Sequence, residues 1–289
     1  MKTSYIIIDK GINKYRAGKN KNEDIYLYAY IKLCSVFKIG ISHATQEKLV
    51  EKTEIPLRTI QNCIKRLRES DLITVKTIHD GEKKHNTYYF DVNPENFFFV
   101  DTSFFHLVMD VKLKGFLLLL KSLCINNSNL TLYNRTKIAE LLGQDRGTVS
   151  KMIEKLIEKD MLVEIKGGFV LPANYFPYYS KDTKTEHKYE HINSYDEFVL
   201  NSIIDVCREK RSIIFIPDLM PLKFIFAKYP LLEKDIHGVD DETLKKLYLP
   251  EILKDRCSTL PPKIESLNYF MSVLNVEYAK VKLSDELRL

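Results

Sequence analysis

Residues 45–73, TQEKLVEKTEIPLRTIQNCIKRLRESDLI, lie over residues 134–162, NRTKIAELLGQDRGTVSKMIEKLIEKDML, at a constant offset of 89 and without a gap. Seven of the 29 pairs are identical: Lys48/Lys137, Glu51/Glu140, Thr59/Thr148, Ile64/Ile153, Leu67/Leu156, Glu69/Glu158 and Asp71/Asp160. Apolar residues answer each other at Leu49/Ile138, Ile60/Val149, Cys63/Met152 and Ile73/Leu162. Such self-similarity marks a structural unit used twice.

In the first copy a short helix closes at Leu49 and Val50, Thr53-Glu54-Ile55-Pro56 makes a turn, and a second helix aligns Ile60, Cys63, Ile64 and Leu67 on one face. Pro56 suits the start of that helix, where its missing N–H would have had no partner. In the second copy Gly143 stops the short helix, and Asp145 caps the helix that carries Val149, Met152, Ile153 and Leu156. Both copies read as helix-turn-helix. Each is followed by a β-hairpin, Ile73–Val92 around Asp80-Gly81 and Leu162–Leu171 around Gly167-Gly168. Each is preceded by one more helix, Asp24–Phe37 and Asp110–Ile125.

Helix, helix-turn-helix, hairpin is the winged-helix order. Residues 45–92 resemble the winged-helix domain of plasmid- and phage-encoded replication proteins and of many bacterial transcription regulators. The second copy resembles it more weakly, and the pair, residues 23–176, resembles plasmid replication initiators built from tandem winged helices. The expected class is mainly α with small β-hairpins (α+β), two such domains being followed by a helical C-terminal domain. The expected divisions are a basic N-terminal arm (1–22), a first winged-helix domain (23–100), a second (101–178), a linker (179–192) and the helical domain (193–289). The stretch from Val92 to Asp110 is too aromatic for a solvated linker, so the two modules are expected to pack together.

The fold implies duplex DNA as partner, the second helix of the helix-turn-helix entering the major groove. With Ile60, Ile64 and Leu67 committed to the core, Arg58, Thr59, Gln61, Asn62, Lys65 and Arg66 face outward, with no acid until Glu69. Gln and Asn pair bidentately with adenine and Arg with guanine, each such contact carrying about 1–3 kcal/mol of discrimination. Arg58, Gln61 and Asn62 are therefore the base-reading candidates, and Lys65 and Arg66 the phosphate contacts. The hairpin tip adds Lys83, Lys84 and His85. In the second copy Arg146, Thr148, Ser150, Lys151 and Lys155 face outward but Glu154 and Glu158 interrupt them, while Arg135 and Lys137 start the preceding helix, a favourable place for an anion. That copy is open to a second role, self-association.

Residues 1–22 hold six basic residues against Asp9, an excess equal to the whole net charge of +5, and a local excess of this kind suits a polyanion. Five cysteines at long intervals, without C-x-x-C, argue against disulfides and a zinc cluster. The longest apolar run, Gly115–Leu120, falls far short of the roughly 20 residues that span a bilayer, and the N-terminus does not read as a secretory signal, so a cytoplasmic protein without membrane contact is expected. No phosphate-cradling, dinucleotide-binding or H-E-x-x-H motif occurs, and no histidine pair flanks a single hydrophobic residue as a rolling-circle nickase requires. Neither catalysis nor a cofactor is expected. His187 and His191 have metal-ligand spacing but no third ligand. In the last third, Ser194 caps a helix over 195–210, and Ile264–Leu274 resembles the helix of DnaD-like tails of replication proteins; its aliphatic and aromatic pattern favours core packing, and Tyr269 and Phe270 are the first suspects for contact with a protein partner if the domain binds one. The DNA-binding reading divides into a replication initiator and, as the alternative, a transcription regulator whose tail oligomerises or senses a ligand. A third reading is an adaptor that binds protein through the same surfaces.

Overall fold

The computed structural model describes residues 5–36, 40–80, 83–91, 96–125, 128–177, 194–217, 257, 259–266 and 269–270. In chain order these form β1 (Tyr5–Asp9), α1 (Lys21–Leu33), β2 (Ser35–Val36), β3 (Ile41–Ser42), α2 (Gln46–Thr53), α3 (Leu57–Glu69), β4 (Thr74–Asp80), β5 (Lys83–Tyr89) and β6 (Phe97–Asp101). Then follow α4 (Val111–Ser122), β7 (Leu130–Thr131), α5 (Arg135–Leu142), α6 (Arg146–Glu158), β8 (Val163–Ile165), β9 (Gly168–Val170), α7 (Ser194–Glu209), β10 (Ile213–Ile214) and β11 (Lys263–Ile264). Seven helices and several small sheets make the class α+β among the described residues. The chain divides into two compact units, residues 1–125 with 131–169 and residues 126–130 with 170–289.

The repeat reaches further in the backbone than in the matched sequence. Helix, two-residue strand, helix, helix and hairpin recur at the same offset, α1 with α4, β3 with β7, α2 with α5, α3 with α6 and β4 with β8. The sheets agree as well: β2-β3-β5-β4 in the first module and β7-β9-β8 in the second, so the strand before each helix pair bonds to the last strand of the hairpin. The same cap closes the front of the short helix in each copy, Thr45 accepting from Lys48 N and Asn134 from Lys137 N. Left-handed backbone recurs at Glu54 and Gly143, which end those helices, and at Asp71 and Asp160, just past the long ones. Glycine adopts this conformation without strain, whereas Glu54 holds a side chain in it.

The two short strands had no counterpart in the sequence reading, and both leading helices stop earlier than their hydrophobic pattern suggested. α1 ends at Leu33 instead of Phe37 because Ser35 and Val36 pair with Ser42 and Ile41; α4 ends at Ser122 instead of Ile125. α1 and α4 pack against each other as the centre of the first unit. Ile25–Ala29 of α1 and Phe116–Leu120 of α4 are buried on every side, as helices apolar all round must be. Gly115 permits the approach, since a Cβ there would lie 1.8 Å from the carbonyl oxygen of Asn22. In the second hairpin Gly167 has the positive φ, while Gly168 begins β9, where a Cβ would meet the Thr131 carbonyl oxygen at 1.9 Å.

Residues 5–22 are a folded layer and not the basic arm expected from charge. β1 runs antiparallel to β6, from Tyr5 opposite Asp101 to Asp9 opposite Phe97, with Ile6 and Ile8 buried. Three cations of this stretch are directed at carbonyl oxygens. Lys10 donates to Cys124, Arg16 to Asn13 and Leu141, and Lys21, almost fully buried, to Asn13 and Leu142 at 2.8 Å each. Leu141 and Leu142 close α5, where unpaired carbonyls and the helix dipole both favour a cation. Phe104 and Phe105, from the aromatic stretch between the modules, are buried as well.

In the second unit Asn174 ties three segments together. Its side chain donates to Ser212 O and accepts from Ile214 N, and its carbonyl accepts from Arg208. The unit is less purely helical than expected: α7 is followed by β10, which pairs in parallel with β11, so Ile264 stands in a strand and not in a helix. Ile213–Ile216 is a β-branched and aromatic run, which favours an extended chain. Phe270 is fully buried, in keeping with core packing. The linker expected at 179–192, with His187 and His191, lies outside the described residues.

Candidate nucleic-acid interface

α3 is held by Ile60, Cys63, Ile64 and Leu67, all buried, against α1 and α2. Its opposite face presents Arg58, Gln61, Asn62 and Lys65 exposed, with Thr59 half-buried. Gln61 Nε2 donates to Gln46 Oε1 across to α2 at 3.2 Å, and Lys65 Nζ lies 3.9 Å from Glu69. Arg68, not singled out from the sequence, is exposed one turn beyond Lys65 and extends the exposed face to the end of an acid-free stretch of eleven residues, Arg58 to Arg68. The spacing that selects 58, 61, 62 and 65 reaches 68 as well, so that signal was present.

Arg66 requires a correction. Expected at a phosphate, it is instead turned inward onto Asp24 of α1, Nε donating to Oδ2 at 2.8 Å and Nη2 to Oδ1 at 2.6 Å. Asp24 has no exposed surface, and Tyr15 donates its hydroxyl to Oδ2 at 2.6 Å. A buried carboxylate needs such partners, and a two-pronged guanidinium fits it. The hydrogen bonds to Asp24 hold the Arg66 guanidinium above its ordinary range, and burial, followed by the bond to Asp24, pushes the Tyr15 hydroxyl up. Cys63, also beside Arg66, is pushed up chiefly by burial and is no accessible thiolate.

The first hairpin runs from Thr74 opposite Tyr89 to Asp80 opposite Lys83. Lys83 and Lys84 belong to β5, but their side chains lie outside the described residues; His85 is half-buried opposite Ile78. Lys76, exposed on β4, stands over the Tyr89 ring at 5.1 Å.

The second module arranges its candidates differently. On α6, Arg146, Thr148, Lys151 and Lys155 are exposed and Ser150 is half-buried. Thr148 is engaged by the helix cap, its N–H and hydroxyl both donating to Asp145 Oδ2. Arg135 bridges Glu154 of α6 and Glu164 of β8 at 3.0 Å each, which neutralises the charge assigned above to phosphate. Lys137 pairs with Glu140 at 2.9 Å. Where α3 carries Lys65, α6 carries Glu154, and the basic surface shrinks to Arg146, Lys151 and Lys155. Among the described residues no cluster of His, Cys, Asp and Glu could hold a metal ion, and no helix is long and apolar enough to cross a membrane.

No family model, curated protein or solved structure matches this chain.

Proposed function

We propose that the two repeated modules are winged helices and that the protein binds double-stranded DNA sequence-specifically, with α3 in the major groove. The observation that carries this reading is the exposed, acid-free face of α3 from Arg58 to Arg68, on the second helix of a helix pair that a sheet-forming hairpin follows. Arg58, Gln61 and Asn62 read base edges, and Lys65, Arg68 and Lys76 meet phosphates. α6 has a smaller part through Arg146, Lys151 and Lys155. The biological role proposed is initiation of plasmid or phage replication, supported by the tandem modules followed by a further unit.

The test is binding to DNA adjoining the gene and to a scrambled duplex, each at two salt concentrations. Affinity for both falls with salt because bound phosphates release counterions, and a true site keeps a preference of about a thousandfold or more. Gln61→Ala and Asn62→Ala reduce that preference; Lys65→Ala and Arg68→Ala weaken both duplexes and lower the salt slope by about 1 each. Binding indifferent to all four substitutions rejects the reading and favours a protein-binding adaptor. Footprints over iterated sites beside A/T-rich DNA support the initiator role, whereas one footprint at a promoter supports a transcription regulator.

A further inference from the structure

The Asp24–Arg66 pair has no counterpart in the second module. At the 89-residue offset, Asp24 corresponds to Leu113 and Arg66 to Lys155. Leu113 is buried and Lys155 exposed, so the repeated fold closes over an aliphatic side chain where the first module buries a charge. Packing therefore does not demand the ion pair. Replacing a buried pair by apolar groups is often neutral or stabilising, so stability does not explain it either. What a bidentate guanidinium adds is direction: two parallel bonds fix the rotation of its helix, which one apolar contact does not. Arg66 lies one turn after Asn62 on α3, and Asp24 belongs to α1, the helix on which α3 packs. Tyr15 adds a third segment, orienting the carboxylate from the layer that follows β1.

We propose that Asp24, Arg66 and Tyr15 are positioning residues that set the rotation of α3 against α1 and so aim Arg58, Gln61 and Asn62 at the bases. The proposal rests on the DNA-binding reading. None of the three touches DNA; Arg66 acts through the angle of its helix.

The test is the double substitution Asp24→Leu, Arg66→Lys in the full chain, which copies the residues of the second module. A duplex selected by the wild-type protein from a random library serves as the probe, with a scrambled duplex beside it. The expected result is a loss of preference of at least about tenfold, the discrimination that one misplaced base contact carries, with affinity for the scrambled duplex and its salt slope unchanged. The melting temperature stays at or above that of the wild type. Amide hydrogen exchange over α3 rises about tenfold while α6 keeps its protection. Tyr15→Phe, which removes one hydrogen bond, shifts preference in the same direction by a smaller factor. Unchanged preference with unchanged α3 exchange overturns the proposal, as does a salt slope lowered by about 1 when Asp24→Leu is combined with the uncharged Arg66→Met, which would make Arg66 a phosphate contact. A wild-type protein that selects no duplex rejects the DNA-binding reading instead, and α3 exchange in the variant then decides positioning by itself.

Discussion

Lys121 offers a direct test of how the centre of the first unit is held. It sits on α4 with 1% of its surface exposed, and burial lowers its ammonium from 10.5 to about 7, nearby Cys124 opposing and Lys10 assisting. In the unfolded chain the group titrates near its ordinary value, so between pH 7 and 10.5 the unfolded state binds the extra proton. Stability is therefore lowest below pH 7, climbs by about 1.4 kcal/mol per pH unit above it, and levels off past the unfolded value. Over the whole window the penalty is about 5 kcal/mol. Lys121→Met keeps the length of the side chain and removes the titration. Its unfolding free energy, from urea denaturation followed by tyrosine fluorescence, should exceed that of wild type by about 2–4 kcal/mol at pH 7, after about 1–3 kcal/mol for lost polar contacts. That advantage should shrink by about 3 kcal/mol between pH 7 and 9. Lys21, also lowered to about 7 by burial, is present in both proteins and cancels from the comparison. A difference that does not change with pH would refute the reasoning, because it would mean that Lys121 keeps its charge in the folded state.

Three further substitutions follow from the backbone. Gly115→Ala places a methyl group against the Asn22 carbonyl at 1.8 Å and forces α1 and α4 apart, so it should cost about 3 kcal/mol or more in thermal denaturation. Asp145→Ala removes the cap of α6 and should cost about 1 kcal/mol by urea midpoint. Glu54→Gly relieves the left-handed conformation ending α2, where the second module already has Gly143, and should raise stability by about 0.5–1 kcal/mol in the same assay.

The helix pair of each module was legible because Ile60, Cys63, Ile64 and Leu67, and their partners at the 89-residue offset, keep helical spacing over about two turns. β3 and β7 were not, since two residues carry no period. β1 was hidden for another reason: its alternation spans only five residues, amid lysines whose acceptors are carbonyls as distant as Cys124 and Leu142. Arg66 shows the limit most sharply. It lies at the edge of the apolar face of α3, where periodicity permits either direction, and what turns it inward is a carboxylate 42 residues earlier. The basic surface of α3 was otherwise readable, as was its extension to Arg68. In the second module the sequence showed Glu154 among the cations but not that Arg135 would bind it together with Glu164.

The pairing of β1 with β6 also governs the order of events during synthesis. When the first helix pair and its hairpin have left the ribosome, Ile6 and Ile8 still lack the strand that covers them, because Phe97–Asp101 is translated later. Lys21 waits longer still, since its acceptor at Leu142 is 121 residues downstream. Contacts of such long range slow folding and prolong the exposure of apolar surface. The two copies thus behave as interlocked halves and not as beads on a string: the earlier one completes its structure only after most of the later one has emerged.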